Sequence, residues 1–147
     1  VPEVASVTDL TAVTGTTTFD LDGTLALTFD PALTQVGLVA TPAAEVGASE
    51  VPEGGWWLTE VPEFDPIIAA WTLYPFGTKI TEGSFGIEVN SGLGLAAGET
   101  VNVFEIEKDN AAIHQVASGV VSADGNSLEL SEVGEGLHEL TWLLFTQ

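Results

Sequence analysis

Carboxylates supply most of the reactive chemistry in this sequence. Among 147 residues there are 22 Asp and Glu, two Lys, two His, and no Arg or Cys, for a net charge of −20. Zero Cys removes disulfides, thiol catalysis and thiolate metal sites. Acid pairs such as Glu105/Glu107 and Glu132/Glu135 recur. Alternate acids on a strand project to one side, and a solvated surface is the reading adopted for them. Calcium takes oxygen ligands from acidic loops. Asp20, Asp22 and Asp30, or Asp124 with Asn126, are the candidate calcium ligands, without the spacing of an EF-hand loop. No other cofactor is expected. His114 shares strand parity with Val116 and Val120, and His138 with Leu140 and Trp142. Both are read as half-buried structural imidazoles at strand ends. No Ser–His–Asp set can be assembled from their spacing.

Aromatic residues offer a different chemistry, that of a binding face. Trp56 and Trp57 are adjacent, with Phe64, Trp71 and Tyr74 following. Neighbouring residues of a strand point to opposite faces, so an extended segment would expose one of the two Trp. Trp56, Trp57, Trp71 and Tyr74 are therefore the candidate ligand-binding residues, for a glycan or a protein surface. The alternative is a loop that folds both Trp inward to cap the open end of a sandwich.

The stretch "TFDLDGTLAL" sets Asp20-x-Asp22-Gly23-Thr24 in a row. This resembles the signature of the haloacid dehalogenase superfamily, in which the first Asp attacks a phosphate. The resemblance implies a buried parallel strand before the motif, a helix after it, a phosphate-holding Lys and an acidic pair for magnesium. Here three Thr precede Phe19, and the alternating segment "TLALTF" follows. No acid-ended apolar strand follows Lys79 or Lys108, and no βαβ alternation is present. A phosphatase of that type is rejected. The same letters describe a hairpin: Asp at the first position of a type I turn and Gly23 in the left-handed region, closing a three-residue loop with a bulge. That register sets Phe19 across from Leu25 and Thr17 across from Leu27. "SADGNSLEL" repeats the device at 122–130, placing Val120 across from Leu128 with Leu130 on the same face.

Around these turns the periodicity is that of strands. In "VNVFEIE" the apolar phase shifts between Val103 and Phe104, which suggests a bulge. "HELTWLLFTQ" puts Leu140, Trp142 and Leu144 on one face and Leu143 and Phe145 on the other, so this strand should be central or covered. Helix signals are confined to Thr41-Pro42 and Asp65-Pro66, each a cap followed by Pro, and one or two helical turns are expected at most. Pro, Gly and Glu crowd residues 42–66, read as a long crossover loop. The expected fold is all-β: one mainly antiparallel β-sandwich domain over residues 1–147, with seven to nine strands and little helix. The hydrophobic fraction of 45% suffices for a core, and no apolar run reaches the length of a membrane span. Nucleic acid is excluded as a partner, and anionic membrane surfaces are disfavoured, because two Lys cannot replace counterions on a phosphate backbone. With no Met in the chain, Val1 is not an initiator, and the sequence is read as a processed or excised piece.

From Trp71 onward, "WTLYPFGTKI", "FGIEV", "GLGLAAGETVNVFEIE" and "VASGVVSADGNSLEL" follow one another. Over residues 71–130 this order resembles extracellular bacterial β-sandwich segments related to the domain of zonula occludens proteins, netrin receptors and ankyrins. Some relatives cleave themselves at a Phe-Ser bond; here the order is Ser84-Phe85-Gly86, so cleavage is not carried over. The resemblance implies a non-catalytic structural or adhesion-type domain of a secreted or cell-surface bacterial protein. A carbohydrate- or calcium-dependent binding module is the second expectation. A third is a fibre or surface-layer subunit, a homo-oligomer paired through an edge-lying C-terminal strand.

Overall fold

The computed structural model describes residues 7–36, 42–43, 45–51, 67–107 and 112–147. Trp56, Trp57, Phe64, Lys108, the three Val-Pro-Glu tripeptides and both expected helix starts involve residues outside this set. In chain order the strands are β1 (Val7–Asp9), β2 (Thr17–Asp20), β3 (Leu25–Phe29), β4 (Thr34–Gln35), β5 (Glu45–Glu50), β6 (Ile67–Tyr74) and β7 (Thr78–Ile80). There follow β8 (Gly86–Val89), β9 (Thr100–Ile106), β10 (Ile113–Val121), β11 (Leu128–Glu132), β12 (Glu139–Leu140) and β13 (Trp142–Thr146). The fold is all-β and antiparallel throughout. The described residues form thirteen strands, more than the seven to nine expected, because several are two- or three-residue pieces that turn cues cannot resolve. The six-residue strand β5 occupies part of the region read as a long loop. Among the described residues the one helical element is a 3₁₀ turn at Pro31–Leu33, where Asp30 is the cap and accepts from Ala32 N–H. It follows the expected cap-then-Pro logic at a place the sequence reading passed over.

One layer is a seven-stranded sheet in the order β1-β5-β6-β13-β9-β10-β11. The other consists of two three-stranded sheets, β2-β3-β8 and β12-β7-β4, linked by an antiparallel bridge between Phe85 and Leu137. Alternation builds the core between them. Leu25, Leu27 and Phe29 of β3 face Ala69, Trp71 and Leu73 of β6, Val101 and Val103 of β9, and Leu143 and Phe145 of β13 within one buried cluster. Each such Leu or Phe stabilises the fold by about 1.5–3 kcal/mol relative to an exposed position. Ring contacts order the interior, with Phe19–Phe29 and Phe29–Phe85 centroids both 5.0 Å apart and Trp71–Phe145 at 5.2 Å.

β13 is central, paired with β6 on one side and β9 on the other. The apolar-on-both-faces argument therefore holds: Leu143 and Phe145 enter the main core, and Trp142 and Leu144 join Phe104 and Ile106 in a second buried cluster. Leu140 departs from that pattern. The chain changes sheets at Thr141, whose hydroxyl donates to Ile106 O at 2.5 Å, so Leu140 belongs to the main core. A central β13 also removes the edge on which oligomerisation through this strand was argued; the sheet's edges are β1 and β11. The bulge expected in "VNVFEIE" lies across from it, between Gln115 and Ala117 of β10.

Both hairpins turn where expected but in other registers. The first pairs Phe19 with Leu27 and Thr17 with Phe29, because the loop sits one residue later, between Leu21 and Leu25. The apolar residues still share a face, since the slip is an even number of residues. The second pairs Val121 with Leu128 and leaves Val120 exposed. Its turn closes through Gly125 N–H to Ser122 O, but Ser122 also bonds Ser127, which lengthens the loop by a residue.

Candidate functional site: an acidic cleft between the layers

The residues of "FDLDGTL" come together as a hairpin turn. Asp20 Oδ1 accepts from Gly23 N–H at 2.7 Å. Asp22 Oδ1 accepts from Thr24 and Leu25 N–H at 2.9 and 2.7 Å. Its other oxygen accepts from the Trp71 indole Nε1–H at 2.7 Å. Strand β3, not a helix, follows the motif, and Gly23 has φ +88°. Asp22 thus accepts two hydrogen bonds within the hairpin turn and a third from Trp71 that ties the tip to the core.

The calcium candidates are dispersed. Asp30 lies at the far end of β3 from Asp20 and Asp22, where it caps the 3₁₀ turn. Asp124 Oδ1 accepts from the Ser122 hydroxyl at 2.5 Å and from Asn126 N–H at 2.9 Å, and these bonds hold its pKa below the usual carboxylate value, the hydroxyl most strongly. Asn126 takes part through its backbone N–H. Among the described residues no three or more His, Asp or Glu are arranged to hold a metal ion. Of the aromatic candidates, Trp71 is fully buried, so as a contact for a surface ligand it is corrected to a core residue. Tyr74 is half-buried and donates its hydroxyl to Glu45 at 2.7 Å. That bond, with repulsion from the same carboxylate, raises the Tyr74 pKa. Trp56 and Trp57 lie outside the described residues.

A site that the sequence reading missed opens where β9 and β10 meet β12 and β7. Along β9, Val101, Val103 and Glu105 share the inward face, so strand parity carries a carboxylate toward the core. Glu105 is only 5% exposed, which corrects its assignment to a solvated surface. The N–H groups of His138 and Glu139 interact with its carboxyl group, while Oε2 has no hydrogen-bond partner among the described residues. Burial raises the Glu105 pKa above the usual carboxylate value and nearby Glu139 adds to the shift; the two N–H donors and the His138 ring oppose it. Glu139, 6% exposed, lies across from Lys79 in the β12–β7 register, with Lys79 Nζ 3.8 Å from its Oε2. His114 pairs with Glu105 in register, and its Nε2 lies 2.8 Å from Glu107 Oε1. The cleft they line encloses about 650 Å³.

A buried carboxylate with a free lone pair costs stability when ionised. Because folding raises this pKa, the native state holds the proton more tightly than the unfolded chain does. Glu105 therefore favours the fold most at pH values below the ordinary carboxylate pKa, and that contribution is lost as pH rises through the raised value. Glu105→Gln is expected to stabilise the protein at pH 8 by about 1 kcal/mol and to flatten this part of the pH–stability curve, measured by urea unfolding. Compared with protein-family models, curated proteins and solved structures, the chain matches none.

Proposed function

We propose that this chain is a non-catalytic structural or adhesion-type domain of a bacterial surface or secreted protein. The observation that carries the first half of this reading is the engagement of Asp22: both its oxygens accept hydrogen bonds, from Thr24, Leu25 and Trp71, so the most enzyme-like motif serves the hairpin. The surface location rests on the resemblance over residues 71–130. Incubation with p-nitrophenyl phosphate, acetate and glycoside substrates, with and without magnesium or calcium, is expected to give no turnover above the buffer rate. Turnover abolished by Asp20→Asn or Asp22→Asn would overturn the reading.

A binding module is the second reading, favoured by the cleft around Glu105. Mainly structural carboxylates sit in turns or in water, whereas this one is buried beside an opening with an acceptor left over.

A further inference from the structure

We propose that the cleft is a receptor for a primary ammonium group on an aliphatic stem, the chemistry of a lysine side chain, with Glu105 and Glu139 as the carboxylates that hold it. This deepens the binding reading of the domain and rests on it. Among the described residues four carboxylates line the cleft, those of Glu105, Glu107, Glu135 and Glu139, together with Lys79. Lys79 lies against Glu139, whereas Glu105 Oε2 is a desolvated acceptor without a hydrogen-bond partner among the described residues. Two nearby buried carboxylates with a cation beside one of them leave a place for a second cation next to the other.

Geometry selects the kind of cation. The backbone of His138 and Glu139 lies against the Glu105 carboxyl group, and Oε2 is its one buried oxygen without a hydrogen-bond partner among the described residues. A guanidinium binds best when both oxygens of a carboxylate are available to its fork, whereas a compact ammonium needs one. A metal ion needs several oxygens converging, and no such group exists among the described residues. Ile80 supplies an apolar surface for a stem, and Gly134 and Gly136 also line the cleft.

Binding should also depend on pH, because the ammonium is held by the ionised form of Glu105. Glu107 and His114 face this group from the β9–β10 side, His138 and Glu139 from the β12 segment, Lys79 from β7, and Glu135 from the loop after β11. Burial holds the Glu105 pKa above the usual carboxylate value, so acid removes its charge sooner than that of an ordinary carboxylate, and this weakens cation binding.

The test is a titration of the ¹⁵N-labelled chain with n-butylammonium chloride at pH 8, followed by heteronuclear NMR. Saturable shifts are expected at the amides of Gly134, Gly136, His138 and Glu139, and n-pentanol should produce none. Glu105→Gln, which keeps the side-chain shape and an acceptor for the two N–H groups, should weaken binding at least tenfold. Glu50→Gln, on the exposed end of β5, should leave it unchanged. Lysine blocked at both backbone ends should reproduce the butylammonium shifts, and binding should weaken as pH falls toward 5. Equal binding by Glu105→Gln, unsaturable shifts spread over the acidic surface, or saturable shifts with calcium but not butylammonium would overturn the assignment. Binding of the free amine without the blocked lysine would overturn the lysine part alone. Turnover in the hydrolysis assays would sink the non-catalytic reading without touching these outcomes.

Discussion

Asp22→Ala is expected to cost about 3 kcal/mol of stability, lowering the melting temperature by roughly 10 °C for a chain of this size. The substitution leaves three donors without their acceptor: the N–H groups of Thr24 and Leu25, and the indole of a fully buried Trp71. The indole and the Leu25 N–H dominate, because both donors belong to fully buried residues, whereas Asp22 itself and the Thr24 amide lie nearer to solvent. Asp22→Asn separates the contributions. It keeps an oxygen for the turn, but its amide group would set a donor against the indole N–H, so a loss of about 1–2 kcal/mol is expected. Trp71→Phe removes that donor, and combining it with Asp22→Asn should cost less than the two single losses added together. Urea unfolding of the four proteins measures the coupling.

Gly119→Ala is expected to be as damaging, again by about 3 kcal/mol, for a reason that involves no hydrogen-bonding side chain. Gly119 sits in β10 between Val101 of β9 and Leu130 of β11. A Cβ there would meet Glu129 O at 1.8 Å and Leu130 Cα at 3.0 Å. Both are backbone atoms on a paired strand, so relief requires β10 and β11 to separate. The β10–β11 ladder would loosen from Ala117↔Glu132 to Val121↔Leu128. Ser118→Ala, one residue away, should change stability by less than about 0.5 kcal/mol. Amide hydrogen exchange should report faster opening of β11 in the Gly119 variant and not in the Ser118 variant.

These two positions show what the sequence made legible. Turn chemistry was readable: Asp and Gly placed both hairpins, and alternation placed Leu25, Leu27 and Phe29 on one face. Register was not, because it depends on which side chain a turn residue bonds. Asp22 reaches Leu25 N–H and Ser122 reaches Ser127 N–H, and these contacts moved the pairing by two residues and one residue respectively. The centrality of β13 followed from its two apolar faces. Leu140 was assigned to the wrong face because a layer change at Thr141 leaves no compositional mark.

The candidate site was nearly invisible, although one signal was present. Glu105 shares strand parity with Val101 and Val103, which places an acid on the inward face. The phase shift at Phe104 was attributed to a bulge in β9, whereas Phe104 and Ile106 face a second buried cluster on the other side of the sheet. Once both faces of β9 are known to be covered, an acid in it has to be buried. The partners of Glu105, at residues 138–139, are more than thirty positions away in sequence and belong to the other layer. Only the fold brings them together.

The central claim is that the aspartates of the Asp20–Thr24 turn hold the fold rather than react. The most direct measurement follows the Trp71 indole N–H and the Gly23, Thr24 and Leu25 amides by NMR while magnesium and a phosphate mimic such as beryllofluoride are added. The account predicts an indole proton that exchanges only on global unfolding, and no saturable shift at any of the four groups. Rapid indole exchange, together with a saturable shift of the turn amides on adding magnesium and beryllofluoride, would contradict it.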